Sequence, residues 1–144
     1  MYGGRMNSAI SQYNQVRVES SVFDVDAHRL VAMLLDGAVE KLVAARLHMA
    51  NGNVAEKGRC IGGGSAIILS LRDSLDMNQG GDIARNLDAL YTYMSERLVD
   101  ANIANDLSRL DEVINLLKPI RDGWNEIPME ARSEHAAQRR AIAS

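Results

Sequence analysis

Cys60 is the only cysteine, so no disulfide can form within the chain, and that usage suits a reducing cytoplasm. Basic residues are scattered, and Arg139-Arg140 is the only basic doublet. With a net charge of -3, no cluster exists to neutralise phosphates, which argues against nucleic acid as a partner. The longest unbroken apolar run, Leu30 to Leu35, is far short of a membrane span, and no apolar stretch of signal-peptide length opens the chain. A cytoplasmic protein without membrane insertion is therefore expected. One phenylalanine, one tryptophan and four tyrosines leave the core to aliphatic side chains, which favours helix on helix. Prolines number two, Pro119 and Pro128, so little interrupts a long helix.

Apolar residues make up 47% of the 144, enough for one domain with a usable core. They recur at steps of three and four in four stretches, the period of amphipathic helices. The first stretch, 26–50, carries Leu30, Leu34, Ala38, Leu42, Ala45 and Met49, with Asp26 as its expected cap. Asn51-Gly52 ends it, and Asn53 with Glu56 reads as a capping box for the second. That stretch carries Ile61, Ile68, Leu71 and Leu75 and stops before Asn78-Gln79-Gly80-Gly81. The third places Ile83, Leu87, Leu90, Tyr91, Met94, Leu98 and Ala101 on one stripe. Asn105 or Asp106 caps the fourth, with Leu107, Leu110, Ile114, Leu117 and Trp124 along one side and a kink expected at Pro119. Short connections predict antiparallel neighbours, hence an all-α, up-down four-helix bundle over 26–127. A short helical N-terminal segment (1–25) precedes it, with Met6, Ile10, Tyr13 and Val16 at helical spacing, and a flexible polar tail (128–144) follows.

Reactive constellations are scarce. Ser65 follows three glycines, but position 67 is Ile, so there is no nucleophile elbow, and no lysine follows to make a phosphate loop. Asp24, Asp26 and His28 alternate at a helix start, where capping explains them better than a metal. His48 and His135 have no spaced partner, and Cys60 reads as a small apolar residue. No catalytic residue, cofactor or metal ligand is expected. Gly62-Gly63-Gly64 inside a helical pattern has two readings: a close helix–helix approach, or a side-chain-free track for another peptide. Tyr91 and Tyr93 stand about 200° apart on a helix, so one of them must face outward or into a groove. Trp124 is expected to close one end of the bundle.

The third stretch also carries specific letters: Gly80-Gly81-Asp82-Ile83-Ala84, Asn86-Leu87, Leu90-Tyr91-Thr92-Tyr93-Met94 and Leu98 with Ala101-Asn102. In that order they resemble the signature of the FliS family, export chaperones of bacterial flagellin. The resemblance extends to Tyr13 with Val16, Met33-Leu34 with Asp36-Gly37-Ala38, Lys57-Gly58 with Ile61, Ile68 to Leu75, and Trp124 with Ile127-Pro128. Two departures are local. Val25-Asp26-Ala27 replaces the family's Ala-Ser-Pro start, and the three glycines stand where Lys or Ala is commoner.

The resemblance implies a cytosolic binding protein without catalysis or cofactor. It would hold the C-terminal segment of flagellin, prevent premature polymerisation and present the client to the flagellar export gate. An adaptor or regulatory bundle with a different flagellar partner is the alternative, and homodimer formation stays open. Implied partner contacts are Tyr13, Ile68, Leu71, Leu87, Tyr91 and Met94. For Leu87, Tyr91 and Met94 core packing is the competing reading. The N-terminal segment would dock through Tyr13 as a displaceable plug in the client groove, or else be an inert leader.

Overall fold

The computed structural model describes residues 21–127, with side chains from Asp26 onward. Residues 1–20 of the expected N-terminal segment, Tyr13 among them, and the 128–144 tail lie outside the described residues. Four helices make up the described chain: α1 (Ser21–Ala50), α2 (Val54–Asp73), α3 (Gly81–Ala104) and α4 (Leu107–Asn125). Each packs on its sequence neighbour, and α4 closes the ring on α1. The backbones of the diagonal pairs α1–α3 and α2–α4 do not approach closely, and their side chains meet only through the shared core. Antiparallel order follows from the cross-links: the start of α2 ties to the end of α3, and the end of α4 ties to the start of α1. The all-α four-helix bundle is thus the fold.

Leu35, Leu42, Ile68, Leu71, Met94, Leu98, Leu110, Val113 and Leu117 are the large aliphatic side chains buried completely or nearly so. Leu34, Ala38, Val39, Ala45 and Met49 join them from α1, the longest helix, which packs along its length on α2 and α4. The predicted stripes hold with one exception: Ile83 is 73% exposed, at the first turn of α3 where no neighbour covers it.

Helix ends depart from expectation in instructive ways. α1 begins at Ser21, so Asp26 lies inside the helix and does not cap it. No glycine or proline in 21–25 obliges a later start. Asn53 occupies the N-cap of α2, but its side chain makes no cap hydrogen bond. Its amide nitrogen lies 3.3 Å from Nδ1 of His48, drawn back toward α1. The Asp106 cap does form, its carboxylate accepting from the Ser108 amide at 2.9 Å. Asn105, at φ 52°, ends α3 in the left-handed region, a conformation Asn tolerates better than most residues. α4 runs on through Pro119 to Asn125.

Of the three glycines, Gly64 makes the close helix–helix approach. A Cβ on Gly64 would stand 2.7 Å from Cδ2 of the fully buried Leu42, so α1 and α2 meet there only because position 64 has no side chain. A Cβ on Gly62 would meet nothing within 4 Å. Lys57 plays a role that its position in the sequence does not announce. It is 5% exposed, and its Nζ donates to the Asn102 carbonyl at 3.1 Å and to Asn105 Oδ1 at 3.0 Å. A cation there satisfies one of α3's terminal carbonyls and complements the negative end of its dipole.

Two stability measurements follow. Gly62→Ala should stabilise by about 0.5–1 kcal/mol through helix propensity. Gly64→Ala should be less stable than Gly62→Ala by about 1–3 kcal/mol, since overpacking against Leu42 is the only difference. Urea unfolding of both variants checks the order, and equal stabilities would contradict the close approach. Lys57→Met keeps the buried stem but strips two charged hydrogen bonds, with an expected loss of about 1.5–3 kcal/mol in the same assay.

Candidate interaction surface

Five of the six expected partner residues can be located. Ile68 and Leu71 on α2 and Tyr91 and Met94 on α3 belong to the core cluster, each at most 3% exposed, and Leu87 packs half-buried against it. The bundle brings them together on the α2–α3 side, but as interior side chains that a partner does not reach in this conformation. Burial pushes the Tyr91 phenol up to about 12. Tyr93 is the outward member of the tyrosine pair, at 39% exposure.

Three of the four seams between adjacent helices are crossed by specific contacts away from their ends. At α1–α2 the backbone of Gly63 and Gly64 lies against the side chains of Lys41 and Leu42. At α3–α4 the Tyr93 hydroxyl donates to Glu112 Oε2 at 2.7 Å and Arg97 Nε donates to Oε1 at 2.8 Å. Both donors hold the Glu112 carboxyl below the usual carboxylate range. At α1–α4, Arg46 Nε bonds Asp111 at 2.5 Å, Arg121 lies 3.9 Å from Asp36, and Trp124 Nε1 donates to the His28 carbonyl at 2.9 Å. The two rings stack 4.4 Å apart, so Trp124 does close that end of the bundle.

The α2–α3 seam differs. Its polar ties sit at the two ends only: Lys57 on Asn102 and Asn105, and Arg72 Nε on Asp88 at 2.7 Å. Between them the register puts Gly58, Gly62, Ser65 and Leu69 of α2 alongside Thr92, Ser95, Val99 and Ile103 of α3, each set spaced as one helix face. The floor is low and quiet. Thr92 Oγ1 donates to the Asp88 carbonyl at 2.8 Å and Ser95 Oγ to the Tyr91 carbonyl at 3.0 Å, turning both hydroxyls back on their own helix. Apolar side chains stand exposed along this floor: Val54 (68%), Leu69 (41%), Val99 (54%) and Ile103 (81%). Ile68, Leu71, Tyr91 and Met94 back it from the core side. Sequence reading passed over this surface because its apolar residues lie off the core stripes, and that displacement was itself the available signal.

A second exposed apolar stretch runs along the outer side of α1, where Val39, Glu40, Val43, Ala44, Arg46 and Leu47 line a shallow hollow. Among the described residues, no group of three His, Cys, Asp or Glu side chains could hold a metal. No described helix is long and apolar enough to cross a membrane.

Comparison with known proteins bears on this geometry. The sequence model of the family described as flagellar protein FliS matches residues 9–131. The flagellar secretion chaperone FliSB of Pseudomonas aeruginosa is 47% identical over 119 residues, 83% of this chain and 94% of that protein. The flagellar secretion chaperone FliS of Vibrio cholerae is 39% identical over 133 residues, 92% of this chain and 98% of that protein. Its counterpart in Salmonella typhimurium is 43% identical over 125 residues, covering 86% and 93%. With a family match over most of its length and relatives this similar, the chain belongs to the FliS family of flagellar proteins, a chaperone family and not an enzyme family.

Proposed function

We propose that this protein is a cytosolic export chaperone that binds the C-terminal segment of flagellin, delays its polymerisation and hands it to the flagellar export gate. The α2–α3 seam carries the reading. Its middle is lined by small side chains with no polar tie across it, and exposed Leu69, Val99 and Ile103, with Val54 at one end, would grip a client. An amphipathic segment laid there gains by apolar burial, and the quiet floor charges it little polar desolvation. Ile68, Leu71, Leu87, Tyr91 and Met94 act from beneath by holding the two helices at the right spacing. Tyr13 adds a contact from the N-terminal segment. The flagellar secretion chaperones among the relatives support the export role, and the single cysteine supports the compartment.

Mixing the full chain with flagellin from the same cell should give a stoichiometric soluble complex by size-exclusion chromatography with light scattering. Leu69→Lys and Val99→Lys should each weaken it at least tenfold, about 1.4 kcal/mol, with an unchanged melting temperature because both positions are exposed. No complex between folded, soluble partners would favour the adaptor with another flagellar partner. A complex indifferent to both substitutions would put the client elsewhere on the bundle.

A further inference from the structure

The end of α4 is built unlike the rest of that helix. Up to Leu117 it is anchored by Leu110, Val113, Ile114 and Leu117, all 4% exposed or less. Pro119 then interrupts the hydrogen-bond ladder: it has no N–H for the Asn115 carbonyl, and its ring crowds that carbonyl. Gly123 follows within one turn, exposed and with open space where a Cβ would stand, so it contributes backbone freedom without packing. Between Pro119 and Glu126 no side chain is fully buried, and Ile120, Arg121 and Trp124 alone are half-buried. Apart from the bond of Arg121 to its neighbour Asp122, their attachments run to α1 or the core rim. Ile120 and Trp124 pack against the core, Arg121 lies 3.9 Å from Asp36, and Trp124 stacks on His28 while donating to its carbonyl.

We infer that residues 119–126 form a latch that opens as a unit about Pro119, with Trp124 on His28 as its catch. The ladder is weakest where the latch begins, and cooperative units of native-state opening are drawn from such segments with few buried contacts. Opening leaves the four core positions of α4 in place and uncovers the His28 ring, which is 9% exposed when the latch is shut. The α2–α3 seam shares no residue with the latch, so the two devices are separable.

Native-state hydrogen exchange on the full chain, read residue by residue, tests this. Amides 120–126 should exchange at least tenfold faster than those of 113–117 in the unaltered protein. Pro119→Ala restores the missing donor and should slow exchange at 120–126 at least tenfold while leaving 113–117 within twofold. Trp124→Leu removes the catch and should speed exchange at 120–126 alone. Exchange of both stretches at a common rate in the unaltered protein would overturn the latch, because α4 would then open only with the whole bundle. An unchanged profile in Pro119→Ala would overturn Pro119 as its hinge, whatever Trp124→Leu does.

Discussion

Leu42 is completely buried, and its methyl group occupies the space a side chain at Gly64 would need. The rest of the bundle depends on that approach. A core with so few aromatics must reach close packing with short aliphatic side chains, and it can do so only if helices come near one another. The tight α1–α2 pair supplies one wall. α3 and α4 then complete a ring in which every helix is covered on two sides, and α1, the longest, contributes the most buried residues.

Around this aliphatic centre the polar contacts divide the surface. Glu112 bridges α3 and α4 through Tyr93 and Arg97, and Arg46, Arg121 and Trp124 bind α4 to α1. Exposed ion pairs of this kind contribute little to stability, but they occupy their seams. Lys57 differs because it is buried, and its two hydrogen bonds set how the start of α2 meets the end of α3. That register is what aligns Gly62 and Ser65 with Ser95 and Val99. The absence of polar ties along the middle of the α2–α3 seam is therefore a by-product of that register.

A tension runs through the partner residues. Signature positions Tyr91 and Met94 are core residues here, while the exposed apolar positions Val99 and Ile103 sit on the same helix about a quarter-turn or more away. A recurring motif can thus report the spacing of two helices without itself being the surface that a client touches. Tyr93, also within the motif, is committed to Glu112 and closes a different seam.

Periodicity alone was enough to determine four helices, their order and most of the buried residues, because a face that must leave water repeats at the helical period whatever covers it. The Asp106 cap and the Asn51-Gly52 turn were equally legible, being local contests between side chain and backbone. The remaining features depended on through-space neighbours. Asn53 gave up its cap to His48, and the early start of α1 put Asp26 inside the helix. Three adjacent identical glycines took different roles because only one of them faces Leu42. Lys57 became a helix cap across 45 residues of chain, a distance no local pattern can span. Which seam was left without polar ties along its middle was likewise settled only when four helices met, since a period shows that a face is apolar but not which neighbour will cover it.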